Sequence, residues 1–490
     1  MAQQDSVPFV HLFIDGKKRP SSTGATFAVH NPYHKTQVAT SASASADDCR
    51  AAIESAHRAF PAWEAAPLAV RRDIFLRAAV IMESEEWQRK AIEALRDETA
   101  STDAWAKFNS IRADAALRNV AAMVNELKGE TFPSVWGGGQ AFVQRRAQGV
   151  VYSVVPWNGP IPLTIRGAAI PMICGNTVVL RPSEYSPRTQ ALVVDAFHEA
   201  GLPPGVLNYI PISREDSIVL TPEIIAHPFV RKITFTGSDR VGKIIAAEAA
   251  RHLKPCVLEL GGKAPAIVLA DADIDAAARG IVYGGLFNSG QICMSTERVI
   301  IQRPADAPLI EALKKNIASL NVGAPESARL SALFNEGSAE GVVGLLEDAK
   351  AAGAELVLGD ATREGTIVKP HLVLGVCPGM RLWERESFGP ILSITVVDTI
   401  DEAVELANSS EYTLAASLWT NDVYNAMDVA MRVRSGATNI NGPTINTESG
   451  LGNAGIGGAS GYGRFDVENF TDKRLVVIHP RNRTYPMLDT

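Results

Sequence analysis

The chain has 490 residues, of which 46% are hydrophobic and 21% charged. That length exceeds one compact core, and the composition is that of a folded globular protein, neither disordered nor fibrous. The 47 basic and 54 acidic residues leave a net charge of -7 with no basic block, which excludes the usual signatures of nucleic-acid or anionic-membrane partners.

In chain order, Met1-Ala2-Gln3-Gln4-Asp5-Ser6 lacks a basic segment leading into an apolar core, so no secretory signal is expected. From Asp47 to Lys128 the pattern is alanine-rich with helical apolar spacing, as at Ile74, Leu76, Ala79, Val80 and Ile81. Gly129 to Pro133 and Gly137-Gly138-Gly139 break it and lead into a strand at Phe142 to Gln148. Short apolar runs then alternate with helices: Val150-Val155, Thr177-Leu180, Gln190-Glu199, Val206-Ile210, Lys232-Phe235 and Gly242-Arg251. Such alternation predicts a parallel, doubly wound α/β sheet. A second alternating series from Ala266-Leu269 runs past Pro390, with Asp271-Asp273 capping a helix that carries Ile274, Ile281 and Val282. A glycine-rich tail from Gly450 to Gly463 precedes a last strand at Leu475-Ile478.

Apolar stretches such as Gly167 to Cys174 are too short to span a bilayer. The five cysteines, Cys49, Cys174, Cys256, Cys293 and Cys377, are scattered without a Cys-x-x-Cys pair, as expected of free thiols in a reducing, cytoplasmic setting. Cys49, Cys174, Cys256 and Cys377 read as small buried hydrophobes.

Two phosphate-binding patterns fail on their context. Gly450-Leu451-Gly452-Asn453-Ala454-Gly455 matches G-x-G-x-x-G, but more glycines follow and no helix can start there. Gly237 to Ile244 is one residue from a P-loop, yet Ile244 has no hydroxyl to hold magnesium. The nine histidines form no metal-spaced cluster, so no catalytic metal is expected.

Four separated segments together resemble the aldehyde dehydrogenase superfamily: Val155-Pro156-Trp157-Asn158, Phe235-Thr236-Gly237-Ser238, Leu258 to Lys263, and Asn288-Ser289-Gly290-Gln291-Ile292-Cys293. Glu386-Ser387-Phe388-Gly389-Pro390 is a fifth, in family order. The resemblance implies an aldehyde dehydrogenase-like fold of two doubly wound parallel-sheet domains plus a small β oligomerisation element. Residues 1–129 and 149–260 would form the NAD-binding domain and 261–450 the catalytic domain. Residues 130–148 and 451–490 would supply the bridging element and tail of a homodimer or homotetramer.

The chemistry follows from the residue types. A thiolate adds readily to an aldehyde and its adduct can expel hydride, which makes Cys293 the expected nucleophile. The resemblance assigns the oxyanion donors to the Asn158 side chain and the Cys293 backbone N–H. Glu259 would activate the water that hydrolyses the thioester, and its neighbours Leu258 and Leu260 should raise its pKa by desolvation. A salt-bridged strand end is the rival reading of Glu259, though Lys263 alone would not explain the glycine pair.

For the cofactor, Phe235, Gly237, Ser238 and Gly242 would bring backbone to a pyrophosphate at a helix N-terminus. By resemblance Trp157 and Asn158 lie beside the nicotinamide end, Glu386 on its ribose and Phe388 against that end; Arg181, Ser183 and Glu184 hold the adenosine ribose, and Val155, Pro156, Leu260 and Gly261 also bind the cofactor. Glu184 would repel a 2′-phosphate and favours NAD, whereas Arg181 in place of the family's usual lysine leaves NADP open.

On the substrate side, Ile292 and Met294 flank the thiol, and Arg166 stands where many members place an aromatic residue. These segments look most like the salicylaldehyde, vanillin and benzaldehyde dehydrogenase branch. Arg166 either bonds a ring hydroxyl or phenolate, or is paired structurally within its own helix. The run Asn453 to Gly458 departs from the family pattern, so a looser substrate-side loop is expected, ahead of an intact Ser460-Gly461-Tyr462-Gly463-Arg464. Two rivals remain: a CoA-acylating semialdehyde dehydrogenase, against which Glu259 counts, and a non-catalytic protein on the same fold, which would have lost these groups.

Overall fold

The computed structural model describes residues 7–448, 454–481 and 483–488. Met1–Ser6 and Gly450–Asn453, the first part of the glycine pattern, lie outside the described residues.

The helical expectation for the N-terminal region holds as a series of helices, with one correction of face. Leu68–Glu83 buries Arg71, Ile74, Phe75, Ala78, Ala79 and Met82, a stripe at helical spacing. Val80 points outward at 59% exposure and Leu76 and Ile81 are half-buried. Consecutive apolar residues cannot all share one face of a helix with 3.6 residues per turn.

An eight-stranded sheet runs in the order Gly461–Tyr462, Cys256–Glu259, Val230–Thr236, Val150–Val154, Thr177–Arg181, Leu207–Tyr209, Leu12–Ile14, Lys17–Arg19. The five strands from Cys256–Glu259 to Leu207–Tyr209 are parallel. Chain order proceeds outward from Val150–Val154 in one direction, then restarts on its other side with Val230–Thr236. Open α/β sheets bind ligands at such a reversal, in the crevice beyond the carboxyl ends of the strands. Within the C-terminal tail, Gly461–Tyr462 pairs antiparallel onto the edge of this sheet, and Val467 and Phe470 enter its core.

A seven-stranded sheet runs Glu355–Leu358, His371–Leu374, Ile391–Val397, Thr296–Gln302, Ala264–Val268, Ala415–Trp419, Ala437–Ile440. All its pairings are parallel except that of Glu355–Leu358 at one edge. The chain therefore leaves the first sheet at Glu259 and enters the second at Ala264, with four residues between.

A third sheet joins Thr471–Ile478, Gln140–Ala147 and Glu130–Pro133 antiparallel. Both end strands are largely exposed, and Leu475, Val476 and Ile478 present apolar side chains to solvent.

Among the cysteines, Cys49 and Cys174 are buried as expected, but Cys256 is half-buried and Cys377 is exposed. Cys377 follows the end of the His371–Leu374 strand, in a loop closed by Gly375 and Gly379 at positive φ, outside any packed layer. No helix among the described residues is long and apolar enough to cross a membrane.

Candidate active site

The four residues crossing between the sheets organise the site. Leu260 is buried in the first core and fills the space where a side chain on Gly242 would go, 2.5 Å from that position. A Cβ on Gly261 would lie 2.4 Å from the Glu386 carboxylate, and one on Gly262 would lie 2.0 Å from the Cys293 carbonyl oxygen. Lys263 is buried and pairs with Glu297, so it does not serve Glu259. Glycine is thus required at positions 261 and 262 because two other segments pass through the volume a side chain would occupy.

Cys293 lies in the turn between the Ile274–Leu286 helix and the Thr296–Gln302 strand. That turn opens with Asn288, Ser289 and Gly290, all at positive φ. At Gly290 the reason is close approach: a Cβ would sit 2.1 Å from the Gly389 carbonyl oxygen. Gln291 braces the turn, donating to the Asn288 and Ala332 carbonyls and accepting from the Phe334 N–H. Burial and the neighbouring Glu259 charge push the Cys293 thiol well above its ordinary pKa, while Arg166 opposes them. Both causes favour the protonated sulfur.

Asn158 precedes the Pro160–Ile173 helix, whose proline-started first turn carries no side-chain cap. Its side-chain amide donates to the Gln291 carbonyl at 3.1 Å, and its own carbonyl accepts from the Trp105 indole at 2.9 Å. A primary amide has two hydrogens, so one remains after the Gln291 bond. Asn158 is tied directly to the thiol turn.

Glu259 ends its strand in register with Thr236 on the neighbouring strand. Burial raises its carboxyl above the usual carboxylate range, opposed by the Arg166 guanidinium. Arg166, from the Pro160–Ile173 helix, has Nη1 on Glu259, Nη2 donating to Thr236 Oγ1 at 3.1 Å, and its guanidinium over the Phe465 ring. The alternative of pairing within its own helix is corrected: these partners come from two strands and the C-terminal segment. Its Nε is buried without a hydrogen-bond partner among the described residues.

The cofactor residues gather at the sheet's reversal point. Val155, Pro156 and Trp157 follow the Val150–Val154 strand, and Gly237 and Ser238 follow Val230–Thr236. The helix beyond starts at Asp239, three residues earlier than expected, because Ser238 caps it by accepting from the Val241 N–H. The Phe235 ring is buried in the core against Gly237, which leaves its segment to act through backbone. Val155 and Leu260 are likewise buried. Arg181 and Glu184 approach within 3.7 Å at the end of the next strand, and the buried Arg181 Nε lacks a partner. Ser183 is buried and accepts from the Tyr185 N–H.

Glu386 accepts from the Gly262 N–H at 2.9 Å, and burial beside Glu297 pushes its carboxyl up to about 8. Glu297 in turn accepts from the Ser387 and Phe388 N–H groups, which holds that loop in place. Phe388 meets Trp157 edge-on at 6.0 Å. Glycine backbone at Gly237, Gly261 and Gly262, the Arg181 Nε without a partner among the described residues, and the carboxylates of Glu184 and Glu386 are groups that would suit a nicotinamide dinucleotide.

Ile292 is buried with Trp105 and Ile445, and Phe287 and Met294 pack against them. Phe108 stacks on Trp105 and meets Phe287 edge-on. Sequence reasoning missed Trp105, Phe108, Phe287 and Ile445; the only signal was the i, i+3 aromatic pair Trp105/Phe108 on one helix face. It also missed Phe334, stacked on Trp157 at 4.4 Å, and the bracing role of Glu297.

A model of the aldehyde dehydrogenase family matches residues 19–477. The chain belongs to that family. It is an oxidoreductase acting on aldehydes. Vanillin dehydrogenase of Pseudomonas sp. (strain HR199 / DSM 7063) is 41% identical over 484 residues, covering 98% of this chain and 99% of its own. The crystal structure of a salicylaldehyde dehydrogenase from Pseudomonas putida G7 complexed with salicylaldehyde superposes with a TM-score of 0.95 at 36% identity, covering 98% of this chain and 100% of that one. NADP-dependent glyceraldehyde-3-phosphate dehydrogenase from Bacillus halodurans C-125, complexed with NADP, gives 0.90 at 31% identity, over 96% and 99% of the two chains. In the expected looser run Asn453 to Gly458, Asn453 lies outside the described residues, and in the rest Thr413 Oγ1 accepts from the Ile456 N–H and donates to the Gly457 carbonyl.

The crossing segment makes a direct prediction. A methyl group at Gly262 forces the Cys293 carbonyl away from 2.0 Å. Displacing the thiol turn by about 1 Å should lower kcat roughly 100-fold. Gly262→Ala is expected to retain its circular dichroism spectrum while losing turnover; unchanged turnover would show that the turn yields without cost.

Proposed function

We propose that this dehydrogenase oxidises aromatic aldehydes, hydroxylated ones preferentially, to carboxylic acids with NAD or NADP, by way of a thioester on Cys293. The observation that carries the reading is the aromatic cluster beside the thiol turn: Trp105 and Phe287 pack with Ile292 and Met294, the neighbours of Cys293, and Phe108 stacks on Trp105. Separately, Arg166 has a buried Nε without a partner among the described residues. Aromatic rings favour flat apolar ligands, and a lone charge-assisted donor favours a ring hydroxyl or phenolate. The similarity to vanillin and salicylaldehyde dehydrogenases supports the same substrate class.

Trp157, Gly237, Ser238, Arg181, Glu184, Glu386 and Phe388 would hold the dinucleotide. When bound, it supplies a cationic ring that accepts hydride and whose charge favours the thiolate. Cys293 Sγ, once deprotonated, adds to the aldehyde carbon, and Asn158 Nδ2–H and the Cys293 N–H stabilise the resulting oxyanion. After hydride leaves that carbon, a thioester remains. Glu259 takes a proton from water as the hydroxide oxygen adds to the acyl carbon. Collapse breaks the carbon–sulfur bond, releases the acid and returns the sulfur as thiolate. The sum is aldehyde, water and oxidised cofactor giving carboxylate, reduced cofactor and two protons. The position of Glu259 beside the thiol favours water over CoA as acceptor.

The reading also places the enzyme in the cytoplasm as a homodimer or homotetramer, assembled through the exposed strands Gln140–Ala147 and Thr471–Ile478 of the third sheet.

Four experiments test it. Cys293→Ala should abolish aldehyde oxidation while cofactor binding persists, whereas Glu259→Gln should keep a burst of reduced cofactor followed by slow turnover. Loss of the burst with a still-reactive thiol would assign Glu259 to thiol activation instead. Arg166→Leu should reduce kcat/KM for salicylaldehyde or vanillin about thirtyfold more than for benzaldehyde, the effect of one charge-assisted bond of ~2 kcal/mol; equal losses would remove the hydroxyl-binding role. Light scattering should give a dimer or tetramer, and a monodisperse monomer at micromolar concentration would reject the assembly.

A further inference from the structure

Arg166 does more than offer a donor to substrate. Its three nitrogens have separate neighbours: Nη1 on the Glu259 carboxylate, Nη2 on Thr236 Oγ1, and Nε on no protein group among the described residues. The Phe465 ring lies 4.6 Å from the guanidinium carbon and sets its plane. Thr236 and Glu259 are register partners at the ends of adjacent parallel strands, so one planar fork reaches both. A base deep in an apolar enclosure works only if it is ionised, and burial alone favours the neutral acid.

We infer that Arg166 is the positioning residue of the hydrolytic step, holding Glu259 ionised and aimed, independently of any hydroxyl on the substrate. This rests on the reading of Glu259 as the base for water. The charged and titratable groups around it are few. Arg166 reaches it from the Pro160–Ile173 helix, and Cys293 faces it from the thiol turn. Glu386 acts on the same thiol but is held by the Gly262 N–H, and Lys263 is consumed by Glu297. The adjoining strands bring Thr236 and Gly461, both uncharged; Tyr462 stands opposite Leu258 and is half-exposed. Arg166 is thus the one cation with a direct contact to Glu259 among the described residues.

The sign follows. Desolvation raises the Glu259 carboxyl and Arg166 opposes it. Removing Arg166 therefore raises it further, and hydrolysis, which needs the carboxylate, is lost at a higher pH as pH falls. The step that suffers is acyl-enzyme decay, which affects kcat; kcat/KM, which ends at hydride loss, is not its measure.

The test uses benzaldehyde, which has no hydroxyl to engage Nε. Acyl-Cys293 is formed with excess cofactor, quenched at intervals and followed by intact mass across a pH series in wild type, Arg166→Met, Arg166→Lys and Glu259→Gln. Arg166→Met should move the midpoint of the decay profile up by about one unit or more, so that decay at neutral pH slows roughly tenfold and recovers in alkali. Arg166→Lys should return the midpoint most of the way. An unmoved midpoint, a loss equal at every pH, or no rescue by lysine would overturn the inference while leaving Glu259 as the base. Decay at the wild-type rate in Glu259→Gln would instead overturn the base itself.

Discussion

Everything chemical in this molecule depends on four residues of backbone passing between two sheets with no room for side chains on two of them. Leu260 packs under the Asp239–Arg251 helix, Gly261 lies against the Glu386 carboxylate, Gly262 against the Cys293 carbonyl, and Lys263 on Glu297. The crossing brings the end of a strand in one sheet, with Glu259, against the turn before a strand in the other, with Cys293. A thiol and a carboxylate from different sheets are thereby held in fixed relation by close-packed backbone, which yields less than side chains do.

The electrostatics follow from that burial. An enclosed site raises the thiol and both carboxylates, Glu259 and Glu386, toward their neutral forms. Each anion then needs a specific partner: Arg166 for Glu259, the Gly262 N–H for Glu386, Lys263 for Glu297. The Lys263–Glu297 pair contributes more to placing Ser387 and Phe388 than to net stability, since desolvation offsets much of the attraction between buried charges.

The substrate side shows the same economy of elements. Trp105 joins the aromatic wall and also donates to the Asn158 carbonyl, so the residue that would shape the passage also orients the expected oxyanion donor. Ile292 and Met294 sit on either side of Cys293 and pack into that wall, which links the position of the thiol to the packing of the passage.

By itself the sequence determined the α/β alternation, because strand period and helix spacing are local properties written in consecutive residues; its resemblance to a family also singled out Cys293, Glu259 and Asn158, through short motifs that are equally local. It also marked Gly261 and Gly262 as special without saying why. Only the tertiary structure decided what they avoid, since Glu386 lies 125 residues beyond Gly261 and Cys293 lies 31 beyond Gly262 in the chain. The same holds for Arg166, whose partners Thr236, Glu259 and Phe465 come from distant segments, and for Trp105, Phe108, Phe287 and Ile445, four apolar residues with no shared period. Phe235 adds a further case: its motif did not say where its ring lies, and packing against the first core buries it. Residue type fixes which chemistry is available; long-range packing decides which groups meet and in what state of charge.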